Sequence, residues 1–123
     1  MVLVDTSVWI RFLGGVEPYA SGLADLLAND EVLRHEFVYG ELLIGDRGGR
    51  ATLLAEYSVI RSARTVPHAE VKELVKHRRL YGTGIGWIDA HLLASVLVER
   101  SALWTADKPL LEISRSIGVA YQA

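Results

Sequence analysis

Two short apolar runs that end at an acid constrain this chain more than any other feature. Val2-Leu3-Val4 leads into Asp5, and Ala102-Leu103-Trp104-Thr105 leads through Ala106 into Asp107. Each is shorter than a helix needs, and each reads as a strand buried on both faces. Val32-Leu33 reads as a third strand, Val66-Pro67 as a strand end, and Val119 to Tyr121 as a final short strand. Helical spacing fills the intervals. Val8, Trp9, Phe12 and Leu13 form one helix, with Thr6 and Ser7 as good N-cap residues and Gly14-Gly15 as its stop. Further helices are predicted over Leu23 to Ala28, Glu36 to Ile44, Ala51 to about Ala63, His68 to Leu80, Trp87 to Val98 and Leu110 to Ile117. Strands alternating with helices predict an α/β fold, a central and mostly parallel sheet with helices on both faces.

The 123 residues suit one compact domain spanning 1–123, long enough for a real core. An apolar fraction of 50% is high for that size. It fits either a partner or homodimer surface or an Ala/Leu/Val-rich core. Thirteen basic against 15 acidic side chains give a formal charge of −2, so net charge announces no strongly basic nucleic-acid binder. The chain has no cysteine, which excludes disulfides, thiolate catalysis and cysteine-ligated zinc or iron–sulfur centres. That suits a reducing cytoplasm. No secretory leader and no membrane span are expected, because Asp5 follows only Val2-Leu3-Val4 and no apolar run nears the roughly 20 residues a span needs.

In parallel α/β folds, ligands gather outside the carboxyl ends of the strands. Asp5 and Asp107 both fall just past predicted strands, which places them on one sheet edge. Asp89 sits in the first turn of an apolar helix and shares a face with Leu92, Leu93 and Val96. A carboxylate there is costly unless it is paired or binds a metal, and its alternative role is that of an ordinary helix-start acid. Glu36 and Glu41 stand about 140° apart on the helix wheel, so they cannot serve one site together. Glu41, set among Gly40, Leu42, Leu43 and Gly45, is the better candidate; Glu36 reads as an N-terminal acid. Asp5, Glu41, Asp89 and Asp107 together would make an all-oxygen site suited to Mg²⁺ or Mn²⁺ and to phosphodiester hydrolysis.

With these acids in hand, the chain resembles the PIN-domain family and, within it, the VapC toxins. The resemblance is carried by Val4-Asp5-Thr6-Ser7-Val8-Trp9-Ile10, by His35 to Gly45 around Glu41, by Gly86-Trp87-Ile88-Asp89-Ala90-His91-Leu92-Leu93-Ala94-Ser95, and by Leu103-Trp104-Thr105-Ala106-Asp107-Lys108. These motifs occur in order along the whole chain. The resemblance implies a PIN-like three-layer sandwich and Mg²⁺- or Mn²⁺-dependent cleavage of RNA in the cytoplasm. It implies a homodimer and inhibition by a cognate VapB-like antitoxin. Asp5, Glu41, Asp89 and Asp107 would be both catalytic and metal-binding. Ser7 and Thr105 would orient the acids or water, with helix capping and strand-end hydrogen bonding as their alternative roles. Glu36 stands where many relatives carry proline.

Other features are discounted. Gly82, Gly84 and Gly86 follow a helix rather than a strand, so they read as a rim loop and not a dinucleotide loop. His35, His68 and His77 lack zinc-like spacing, and His91 reads as structural or as a rim residue. Trp9 and Phe12 read as core, with a dimer or antitoxin groove as the sharper option. Arg47, Arg50, Lys72, Lys76, Arg78 and Arg79 read mostly as solvated charge, and Lys108 likewise. A receiver-type phosphoacceptor domain shares the architecture, but strand one ends in a single acid and no central strand offers an acceptor aspartate. A non-catalytic interaction module is disfavoured by the complete acidic set.

Overall fold

The structure is a computed structural model describing residues 1–122; residue 123, the last of the expected domain, lies outside them. The elements run β1 (Val2–Val4), α1 (Thr6–Leu13), α2 (Tyr19–Ala28), β2 (Val32–Leu33), α3 (Glu36–Ile44), α4 (Ala51–Ser58), α5 (His68–His77), α6 (Trp87–Glu99), β3 (Ala102–Trp104) and α7 (Lys108–Ser116). The strands form a parallel sheet of order β2-β1-β3, as the alternation predicts. Val4 lies beside Trp104, so β1 and β3 end level. Parallel bridges extend both edges, Arg34 with Ser62 and Leu103 with Ala120.

The edges depart from expectation for physical reasons. α4 stops at Ser58 rather than near Ala63, because Ala63 N–H is drawn onto Arg34 O at 2.8 Å. Val66-Pro67 forms no strand. Pro67 caps α5 instead, and Val66 joins a small satellite core with Val71, Ala90 and Ala94. Val119 to Tyr121 contributes one bridge rather than a strand. α1 is capped not by Thr6 or Ser7 but by Asp5, whose Oδ1 accepts Thr6 N–H at 2.8 Å.

Helix α6 runs through the middle. Every residue from Ala90 to Val96 is buried, which explains its all-round apolar sequence. Leu3, Val4, Leu33 and Leu103 from the strands meet Val8, Leu23, Leu42, Leu92 and Leu93 from the helices. Trp9 is core, packed edge-on against Phe12 and Tyr57 with centroids 5.8 and 5.3 Å apart.

Trp104 fixes α2 against the sheet. Its ring lies between Tyr19 and Tyr121, and it faces Gly22 so closely that a Cβ there would come within 2.9 Å of the indole. Alanine is the better helix former by about 1 kcal/mol, but overlap with a ring held on both sides costs about 1–3 kcal/mol. Gly22→Ala is therefore expected to lower the urea midpoint despite its helix propensity. An unchanged or raised midpoint would show that α2 is not seated on Trp104.

Candidate active site

Parallel pairing sets the carboxyl ends of β1 and β3 side by side, and Asp5 N–H donates to Trp104 O at 2.9 Å. Asp5 is buried, and its oxygens are held from three directions. Oδ1 accepts Thr6 N–H; Oδ2 accepts Ser7 Oγ–H and Thr105 Oγ1–H, both at 2.8 Å. Each hydroxyl has one proton to give. Having given it to Asp5, each oxygen accepts from the turn after β3. Ala106 N–H donates to Ser7 Oγ at 2.9 Å, and Asp107 N–H donates to Thr105 Oγ1 at 3.0 Å. Asp107 thereby stays in register with Asp5. Exposed itself, it caps α7 by accepting Leu110 N–H on Oδ2 at 3.2 Å.

Glu41 arrives on α3 and meets the neighbouring helix: Thr6 Oγ1 donates to Glu41 Oε1 at 2.7 Å. Glu36, one turn earlier, faces away and pairs with Arg34. The placement of α3 depends on His35, which sequence reasoning passed over. His35 Nδ1 accepts Phe37 N–H at 3.0 Å and so caps α3, a task usually given to Ser, Thr, Asp or Asn. Nε2 therefore carries the proton and donates it to Ser95 Oγ at 3.0 Å, while Ser95 donates to Arg64 O. Tyr57 OH accepts His35 N–H at 2.9 Å. The available signal was position: a polar residue directly after a strand and before an apolar helix.

Asp89 is half-buried at the start of α6, where its Oδ2 accepts Gly86 N–H at 2.9 Å. Its carboxyl is held above the ordinary range, first by burial and then by the charges of Asp5, Asp107 and Glu41; the Gly86 bond opposes the shift. The acids thus lie close enough to feel one another. Gly84 carries the loop before Asp89 past α7, with Pro109 side-chain atoms 3.5 Å from where its Cβ would be. Its φ of +90° suits glycine.

None of these four acids forms an ion pair: among the described residues the ion pairs are Arg34–Glu36 and Arg64–Glu99. Glu41 Oε2, Asp89 Oδ1 and Asp107 Oδ1 have no hydrogen-bond partner among the described residues. Among the described residues no group of three or more acid or histidine side chains is placed so that together they could hold a metal ion. Hard cations such as Mg²⁺ do not require one, since they take one or two carboxylates and complete their shell with water and phosphate. Clustered acids, uncompensated charge and free oxygens fit such an ion.

The family model described as PIN domain matches residues 2–115. The chain belongs to the PIN-domain family. Curated relatives include Ribonuclease VapC32 from two strains of Mycobacterium tuberculosis, CDC 1551 / Oshkosh and ATCC 25618 / H37Rv. Each is 42% identical over 121 residues, covering 98% of this chain and 95% of the relative. The observed parallel sheet flanked by helices is the α/β sandwich expected of a PIN domain.

Two outcomes test how this PIN domain holds its site. Burial, and secondarily the charge on His91, push His35 from its ordinary 6.5 down to about 4. Between these values the unfolded chain binds the proton and the folded chain does not. The contribution to stability is complete above 6.5 and falls as pH drops toward 4, by about 3 kcal/mol in total. In urea titrations across that window, His35→Asn should flatten the decline, and an unchanged slope would refute the assignment. Asp89→Asn keeps an acceptor for Gly86 N–H but removes a repelled, half-buried charge. Its melting temperature in chelator should exceed that of the wild type.

Proposed function

We propose that the protein is a Mg²⁺- or Mn²⁺-dependent endoribonuclease, the toxin of a toxin–antitoxin pair, built as one domain. One observation supports the reading: Asp5, Glu41 and Asp107, from separate elements, lie near enough to Asp89 for their charges to raise its carboxyl, and none of the four acids forms an ion pair among the described residues. The similarity to Ribonuclease VapC32 supports RNA as substrate.

Asp5, Glu41, Asp89 and Asp107 would hold the ion. Bound there, the cation polarises a phosphoryl oxygen and makes water a better nucleophile at neutral pH. The protein's own work is positioning. Ser7 and Thr105 hold Asp5 in one orientation, and Thr6 holds Glu41 against α1. Asp107, exposed and rigidly capped, is open to the approaching RNA.

A cognate VapB-like antitoxin and a second copy of the chain are the proposed partners, and the cytoplasm is the proposed location. Exposed Ile10 and Leu13 on α1, with Leu43 and Ile44 on the contacting α3, give apolar surface for a partner segment beside the acids. No helix among the described residues is long and apolar enough to cross a membrane.

The test is cleavage of total cellular RNA by purified, partner-free protein with Mn²⁺, followed on gels. Asp5→Asn and Asp89→Asn should each lose about a hundredfold or more in rate, with circular dichroism unchanged. Thr105→Val, which leaves Asp5 one donor short, should lose about 10–100-fold. Wild-type rates in both aspartate variants would overturn the reading, and RNA binding without cleavage by the native chain would make it a non-catalytic module.

A further inference from the structure

Trp87 opens α6 two residues before Asp89, and 44% of its surface is exposed. Its ring is nevertheless fixed. Trp87 Nε1–H donates to His68 Nδ1 at 3.0 Å, and the two rings lie within 14° of one plane. The bond and the near-parallel rings fix the indole and imidazole in one orientation. His91 stands almost perpendicular to both, at 82° and 83°, and its Nε2 lies 2.9 Å from the same His68 nitrogen. The indole N–H can only donate, so His68 Nδ1 is the acceptor of that bond, and His91 Nε2 crowds the same nitrogen. The buried Nδ1 of His91 has no hydrogen-bond partner among the described residues. Beside the platform lies a cavity of about 140 Å³, lined by Tyr81, Gly82, Ile85, Gly86, Trp87 and Ala90. Tyr81 is itself 65% exposed.

We propose that the Trp87–His68 surface is a nucleobase platform on which a base of the RNA stacks, at the end of α6 that carries Asp89. This rests on the ribonuclease reading and adds the subsite that reading lacks. The chain has a net charge of −2, and its acids repel a phosphate backbone. Beyond what a bound cation supplies, affinity for RNA gains from a source other than charge. Stacking supplies it without regard to sequence, because every base has a π face. A ring already fixed in orientation loses little freedom on binding. Trp87 and Asp89 both lie in the first turn of α6 on different faces, so a base stacked on the indole sits at the same helix end as the acids.

The test is fluorescence anisotropy of a short, labelled, random-sequence single-stranded RNA, with and without scattered abasic positions. It is done in the Asp5→Asn background, so that binding is read apart from cleavage. Trp87→Ala should weaken binding about tenfold, and Trp87→Phe, which keeps an aromatic face, should recover most of it. Abasic RNA should bind the Asp5→Asn protein more weakly than intact RNA, but should bind the Trp87→Ala variant no more weakly than intact RNA does. Equal affinity for intact and abasic RNA would overturn the platform without needing any variant to fold. Unchanged affinity in Trp87→Ala, with a dimer turned to monomer in sedimentation, would assign the surface to a second copy and also overturn it. Failure of the ribonuclease reading would appear separately, as undiminished cleavage by Asp5→Asn.

Discussion

The Asp5 carboxylate, gripped by a backbone amide and two hydroxyls, is the interaction on which the site depends. A buried carboxylate is tolerated only when its oxygens are satisfied. Here the donors come from α1 and from the end of β3, residues about a hundred positions apart in the chain. Satisfying the charge therefore also fastens the first strand to the last. Ser7 and Thr105 pass the constraint onward, because each oxygen that donates to Asp5 accepts an amide of the β3–α7 turn. Loss of either hydroxyl would strand one of those amides as well as loosening Asp5.

The rest of the site is arranged so that repulsion is not relieved from within. Glu41 is held by a neutral hydroxyl, while Asp89 and Asp107 are held by amides. Hydrogen bonds of this kind fix geometry without cancelling charge. A lysine or arginine in the cluster would stabilise the empty protein and compete with the proposed cation. The arrangement has the form of a stability cost kept for function.

Much of this was legible in the sequence. The acids at the ends of Val2–Val4 and Ala102–Trp104 were readable because short apolar runs fix strand ends, and parallel topology fixes the edge to which strand ends point. α3 was readable to its termini because Gly45 marks one end and the strand before His35 marks the other. Less was legible where tertiary contact overrides local pattern. Ala63 belongs to the sheet edge rather than to α4 because Arg34 supplies its hydrogen bonds. α2 begins at Tyr19 rather than Leu23 because Tyr19 stacks on Trp104, a contact no local window contains. The His68–Trp87–His91 group escaped for the same reason, since its rings come from two helices.

The sequence posed a helix-start role for Asp89, helix capping for Ser7 and strand-end hydrogen bonding for Thr105 as alternatives to site chemistry. The geometry removes that opposition for the acids. Asp5 and Asp107 are N-caps, and Asp89 bonds the N-cap amide of its own helix. Three helix N-termini therefore converge on one place, each favouring a carboxylate by about 0.3–1 kcal/mol. For Asp5 and Asp107 this follows from topology: where a helix succeeds a parallel strand, the acid that ends the strand also begins the helix, whereas α6 brings Asp89 in after a loop. A carboxylate has two oxygens. In Asp89 and Asp107 one is spent on the helix and the other is left open. Capping fixes the angle at which that second oxygen is presented, so in this fold the structural role of the acids is the means by which a chemical role becomes available.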